Sequence, residues 1–379
     1  MLFWRPSMDG NNWENLPEHI LVRIYSFLSL SERLTASITC KQWNEICFSS
    51  PLLWQTFQFK FFDSKEFKYS KFLENHGRHL RNVEIQCHQE DKINRESACT
   101  LIRELSTLKV RRLEKFTIKF LGENPLFYAG HEFVDCLRDL FDKPNSDYEI
   151  QLPLKYVDLS KLPVAYSDDL INLLAENSPD LQSLNIQNAA LVCKVSSGCI
   201  ENVVNKCRKL RYLALHHTSV NEDIMMSLTE DGRAHLEHLS IDCRREEKFG
   251  KDITSEIWEN VRRKIPSLRV TLAFDTSCPM FKVDAILKPE IPVQNLRLEV
   301  MSRVVAQIYF AAENYSQTLE KLSISTTGSK ELENALIYLV SKCRKLSELH
   351  VFQCYISQET KQKIFQLCPQ MKKCFMRVL

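Results

Sequence analysis

The sequence predicts an α/β chain of two unlike parts: a small helical unit at the N-terminus, then a curved solenoid whose units run strand, loop, helix, loop, with parallel strands on the concave side and helices on the convex side. Three observations carry this expectation. The phrase L-x-x-L-x-L recurs along the chain, the segments between its copies have helical spacing, and LPEHILVRIYSFL, Leu16 to Leu28, is apolar almost all the way round a short helix.

The clearest copies are CRKLRYLAL from Cys207 and CRKLSELHV from Cys343, joined by SPDLQSLNI, AHLEHLSI, PVQNLRLEV and QTLEKLSI. Weaker ones sit at Leu80/Val83/Ile85, Leu113/Phe116/Ile118, Leu154/Val157/Leu159, Ile265/Leu268/Val270 and Met371/Cys374/Met376. From Leu154 on, the leading residues recur every 25 to 29 residues, the period of leucine-rich repeats. The last two apolar residues of each copy are separated by one residue, which is strand alternation. Between copies, 169–178, 199–207, 256–265, 331–343 and 360–368 repeat apolar residues at helical spacing. No such unit covers its own apolar face, so stability comes from stacking on neighbours. The segment 121–151, with GENPLFYAGHEF and DKPNSDYE, is punctuated by Gly, Pro, Asn and Asp and reads as loops around one short helix, an insertion or an irregular repeat. The expected division is a tail at 1–12, a helical unit at 13–60 and the repeat array at 61–379.

In the N-terminal unit Pro17 suits the first position of a helix, because its missing N–H has no partner there anyway. Ile20, Leu21, Ile24, Phe27 and Leu28 follow helical spacing, with Val22 and Tyr25 widening the apolar surface. A second helix is expected from about Ser31, carrying Leu34, Ile38 and Trp43, and Pro51 opens a third short segment, LLWQTFQF. Three short helices in so few residues cannot bury this much apolar surface among themselves, so part of it calls for a partner.

These residues resemble an F-box: Leu16-Pro17, Leu21, Ile24, Leu28, Arg33-Leu34, Cys40-Lys41, Trp43 and Leu53-Trp54 stand at that motif's spacing, with Thr39 where the family usually has valine. With the repeats, the chain is similar to the F-box/LRR receptor family. That resemblance implies docking on a Skp-family adaptor, and through it on cullin and RING subunits, as the substrate-recognition subunit of an SCF-type ubiquitin ligase. It also implies that the chain makes no bonds itself. Adaptor contacts would come from Leu16, Pro17, Ile20, Leu21, Ile24, Phe27, Leu28 and Leu34, with Ile38, Trp43 and Trp54 as the core of the unit. An interaction scaffold that binds the adaptor without ligase activity is the alternative.

Strand alternation nominates the surface for an unknown protein substrate. If Leu184 and Ile186 point inward, Ser183, Asn185 and Gln187 point out, and the same register exposes Tyr156, Asp158, Tyr212, His216, His238, Asp242, Arg269, Arg297, Glu299, Lys321, His350 and Phe352.

Composition narrows the remaining classes. A net charge of +2, with no block of like charge, removes the electrostatic case for nucleic acid or an anionic membrane. No run approaches the roughly 18 to 20 apolar residues of a membrane-spanning helix. The fourteen cysteines are scattered and no long apolar leader precedes them, so they read as reduced thiols of a cytoplasmic or nuclear protein. No cofactor or metal is expected. The eight glycines form no phosphate-cradling loop, there is no C-x-x-C, His131-Glu132 lacks a second histidine ligand, and His216-His217 and His235/His238 sit on strands where alternation separates their rings.

Overall fold

The computed structural model describes residues 13, 16–62, 69–124, 130–143, 152–245, 251–300 and 302–378. The expected tail at 1–12 and the insertion's residues 125–129 and 144–151 lie outside the described residues.

The N-terminal unit contains α1 (Glu18–Ser26), α2 (Leu30–Ser37) and α3 (Lys41–Ser49), followed by a 3-10 turn, Pro51–Trp54. Pro17 is the N-cap of α1, one position before the helix. The second helix begins before Ser31 because Ser29 has a glutamate three residues on: the Ser29 side chain accepts from the Glu32 N–H, and the Ser29 N–H donates back to the Glu32 carboxylate at 2.7 Å. Trp43 belongs to a third helix, since Cys40 is extended and breaks the chain after Ile38. Arg33 pins the unit together, donating from Nε to the carbonyls of Tyr25 and Leu28 and from Nη1 to that of Leu53.

The segment after Pro51 departs from expectation. TFQFKF alternates apolar and polar residues, and Thr56–Phe61 is strand β1. Eleven further strands follow: β2 (Asn82–Cys87), β3 (Lys115–Phe120), β4 (Tyr156–Lys161), β5 (Ser183–Asn185), β6 (Tyr212–His216), β7 (His238–Cys243), β8 (Arg269–Phe274), β9 (Val293–Leu298), β10 (Lys321–Ser325), β11 (Glu348–Ile356) and β12 (Lys373–Val378). They form one sheet in sequence order, every neighbouring pair parallel. The array thus starts inside 13–60, because a division at 60/61 would cut β1.

Helices return the chain between strands: α4 (Ser70–His76), α5 (Lys92–Ser106), α6 (His131–Phe141), α7 (Asp168–Asn177), α8 (Ser197–Lys206), α9 (Glu222–Ser227), α10 (Ser255–Lys264), α11 (Met280–Ile286), α12 (Val305–Asn314), α13 (Lys330–Lys342) and α14 (Gln358–Leu367). Parallel strands space at about 4.8 Å, whereas helices need about 10 Å, so the strand side lies on the inside of the bend. One continuous core runs between the layers, and the recurring leucines fill it: Leu184, Leu213, Leu239, Leu296, Leu322 and Leu349 are all fully buried. At β8 the register moves two residues from expectation. Val270 stands beside Leu239 and Leu272 beside Ile241, because Pro266-Ser267 takes up the preceding turn. Eleven of the fourteen cysteines are buried as small apolar side chains.

Aromatic rings join the two parts. Trp54, fully within the bundle, stacks on His76 at 4.2 Å and meets Phe72 edge-on at 5.6 Å, while Phe57 of β1 packs on Phe72 at 4.3 Å. Burial, with the nearby His79 and Arg78 charges, holds the His76 pKa below its usual value.

Near the far end Glu333 of α13 holds the start of α14. Its carboxylate accepts from the Ser357 N–H (2.8 Å), the Ser357 hydroxyl (2.8 Å) and the Thr360 hydroxyl (2.7 Å). Burial opposes the charge, but these bonds and Lys330 outweigh it and bring the pKa down to about 2 from 4.5. A depressed folded pKa means the contribution is present above about 4.5 and lost as pH falls toward about 2. Glu333→Ala is expected to destabilise the α13/α14 end by about 2 to 3 kcal/mol at neutral pH and to flatten that acid transition, as read by denaturant unfolding across pH.

Candidate functional site

Two surfaces collect the nominated residues. The first is on the bundle, where Leu21 and Tyr25 are fully buried with Ile46, Cys47, Leu53 and Trp54. Tyr25 donates its hydroxyl to the Trp43 carbonyl and meets the Trp43 ring edge-on at 5.7 Å. Leu16, Val22, Ile24, Leu28, Ala36 and Trp43 pack partly buried against that centre, and the other large apolar side chains of α1 and α2 and their caps face outward. Phe27 is 76% exposed and Ile38 80%, with Ile20, Leu30, Leu34 and Leu52 also exposed and Leu16, Ile24 and Leu28 half-buried. Pro17, Ile20, Ile24 and Phe27 recur at helical spacing along α1 and its two caps, and Leu30, Leu34 and Ile38 do so along α2 and its cap.

Two expectations are corrected here. Leu21 is no surface anchor: at 0% exposure it is the centre of the bundle. Ile38 is not core, because it caps α2 just before the chain turns, and its side chain leaves the interface between α1 and α3. Trp54 lies in the bundle core, and Trp43 is half-buried, donating Nε1 to the Trp13 carbonyl. Leu30 and Leu52 were missed, although the α2 spacing pointed to Leu30.

The second surface is the open face of the sheet. Tyr156 is exposed, donating its hydroxyl to the Gln182 side chain at 3.0 Å. Tyr156, Asp158, Ser183, Asn185 and Tyr212 line a cavity of about 230 Å³ together with Lys115 and Thr117. A second cavity of about 420 Å³ shares Lys115, Thr117 and Tyr156 and extends to β1. The Tyr212 ring stacks on His238 at 5.3 Å, and His238 Nε2 bonds the Thr271 hydroxyl at 3.0 Å. Burial raises the Tyr212 pKa, reinforced by Asp158, and burial lowers that of His238. Arg269 is half-buried, Arg297 is exposed and pairs with Glu299 at 3.0 Å, and Phe352 is half-buried against Phe375 at 5.3 Å.

His216 and Asp242 differ from expectation. His216 is 5% exposed, with Nδ1 3.4 Å from Asp242. Asp242 also accepts from Arg244 Nε at 2.7 Å, and Arg244 donates on to the carbonyls of Ala190 and Asn188. Burial works against the Asp242 charge, but the His216 contact and Arg244 hold its pKa below the usual carboxylate range. Alternation placed both on the open face, but it does not foresee Arg244 pairing with Asp242, which His216 faces.

Among the described residues, no group of three or more His, Cys, Asp or Glu side chains is placed to hold a metal ion, and no helix is long and apolar enough to cross a membrane.

A family model described as F-box-like matches residues 13–60. The chain is similar to F-box/LRR-repeat protein 8 of Homo sapiens, 29% identical over 95% of this chain and 94% of that protein. The Bos taurus protein of the same name is 28% identical over 96% and 95%. F-box/LRR-repeat protein 21 of Bos taurus is 25% identical over 94% of this chain and 80% of its own length.

Proposed function

We propose, from an F-box-like domain at 13–60 and homologues named F-box/LRR-repeat protein 8 and 21 along most of the chain, that this protein is the substrate-recognition subunit of an SCF-type ubiquitin ligase. The observation that carries the reading is the outward apolar face of α1 and α2, built around a bundle that has already closed its own core. Exposed apolar patches of this kind mark protein interfaces. Phe27, Ile38, Ile20, Leu30 and Leu34 are the residues we assign to the Skp-family adaptor, with Pro17 setting where α1 begins.

The chain contributes position rather than bond-making. A substrate held on the repeats, near a conjugating enzyme brought by cullin and RING subunits, reacts as if in an intramolecular encounter. The cavities around Tyr156 and Tyr212 supply aromatic and hydrogen-bonding groups suited to a protein ligand.

Affinity purification of the full chain from cells, with ligase activity blocked, tests the reading. Adaptor, cullin and RING subunits are expected together. Recovery of adaptor without cullin would leave the docking face standing and remove the ligase assignment, whereas recovery of no adaptor would remove both.

A further inference from the structure

The last four strands carry a surface unlike the rest of the open face. Their register sets Asn295, Lys321, Glu348 and Lys373 in one row and Arg297, Ser323, His350 and Phe375 in the next. Beyond these, Ser325 stands beside Phe352, and Tyr355 beside Arg377. The two serines make β10 a low floor between taller walls about 9.5 Å apart, two strand spacings. Arg297 stands on one wall. The other is aromatic: His350 meets Phe352 at 6.0 Å and Phe352 meets Phe375 at 5.3 Å. Phe375 is 50% exposed and Tyr355 53%.

The charges are unbalanced. Four cations, Arg297, Lys321, Lys373 and Arg377, face two carboxylates, Glu299 and Glu348. Glu299 is taken by Arg297, and Glu348 is shared by Lys321 at 3.2 Å and Lys373 at 3.5 Å. Among the described residues Arg377 has no ion pair. His350 Nε2 is closed off from solvent with no hydrogen-bond partner among them. The ladder between β11 and β12 skips from Val351 to Tyr355 over Gln353, whose φ of 62° is a left-handed conformation uncommon outside glycine. Past that bulge Tyr355 stands beside Arg377.

We propose that this face docks an extended acidic segment of a partner protein, its carboxylates meeting Lys373 and Arg377 and one apolar or aromatic side chain packing on Phe352 and Phe375. The net positive charge beside exposed rings selects this occupant over a neutral or basic one. Identifying that partner as the protein recruited for ubiquitination rests on the receptor reading. The binding itself does not.

A displayed library of random peptides is selected on the full wild-type chain, then re-measured on Phe375→Ala and on Lys373→Glu/Arg377→Glu, whose side chains are exposed. Enriched peptides are expected to be acidic with an apolar or aromatic residue, to weaken about 10-fold or more on either variant, and to weaken as salt rises. Basic or uncharged winners, peptides indifferent to both variants, or no enrichment would overturn the proposal. So would competition by a random DNA duplex as strong as by the peptides, since the face would then be reading phosphate. Adaptor binding, measured on the same three proteins, should not change. Its absence in wild type would sink the receptor reading while leaving the peptide result to stand or fall alone.

Discussion

Phe27→Glu combined with Ile38→Glu is expected to weaken adaptor binding by ~100-fold or more while changing the chain's own stability by no more than about 0.5 kcal/mol. Both residues are more than three-quarters exposed, so neither carboxylate disturbs packing in the free chain. In the complex each would be desolvated without a partner, and interface energy concentrates in a few such positions. The readout is adaptor affinity by calorimetry beside a thermal melt. An unchanged affinity would mean that the adaptor sits elsewhere on the bundle.

Leu21→Ala should give the opposite pattern. Removing a fully buried leucine costs about 2 to 5 kcal/mol, and a bundle this small has little in reserve. Trp43 and Trp54 fluorescence should report early loosening of the bundle while the repeat array melts later. Adaptor binding should fall only because the bundle is unfolded, and should recover under conditions that refold it. A bundle of wild-type stability that nonetheless lost the adaptor would put Leu21 at the interface after all.

The contrast between these two leads to what could be read from residues alone. Repetition was legible because each unit solves the same packing problem: Leu213 and Leu239 are interchangeable answers to it, and so are Leu322 and Leu349. Strand alternation likewise reached Tyr156, Tyr212 and Arg297. Which side of a short helix faces in was not legible. α1 is apolar on nearly every side, and only the positions of α3 and the 3-10 turn decide that Leu21 and Tyr25 go inward while Phe27 goes out. Ile38 was misplaced because a helix was continued through Thr39 and Cys40, where extended backbone ends it. β1 was missed because all but its last residue falls within 13–60, the stretch read from its apolar spacing as a helical unit. Asp242 is held by Arg244, a residue beyond the strand, and by His216 of the neighbouring strand, a pairing that periodicity does not encode.

The ring cluster where Trp54, His76, Phe57 and Phe72 meet has a mechanical consequence. Twelve strands at about 4.8 Å make an arm that traces some 50 Å along the bend, so a swing of about 10° at its root would carry the tip by up to about 9 Å. Interlocked rings resist that swing as a loose tether would not. Aim, set at the root by four side chains, is thereby kept along the whole arm.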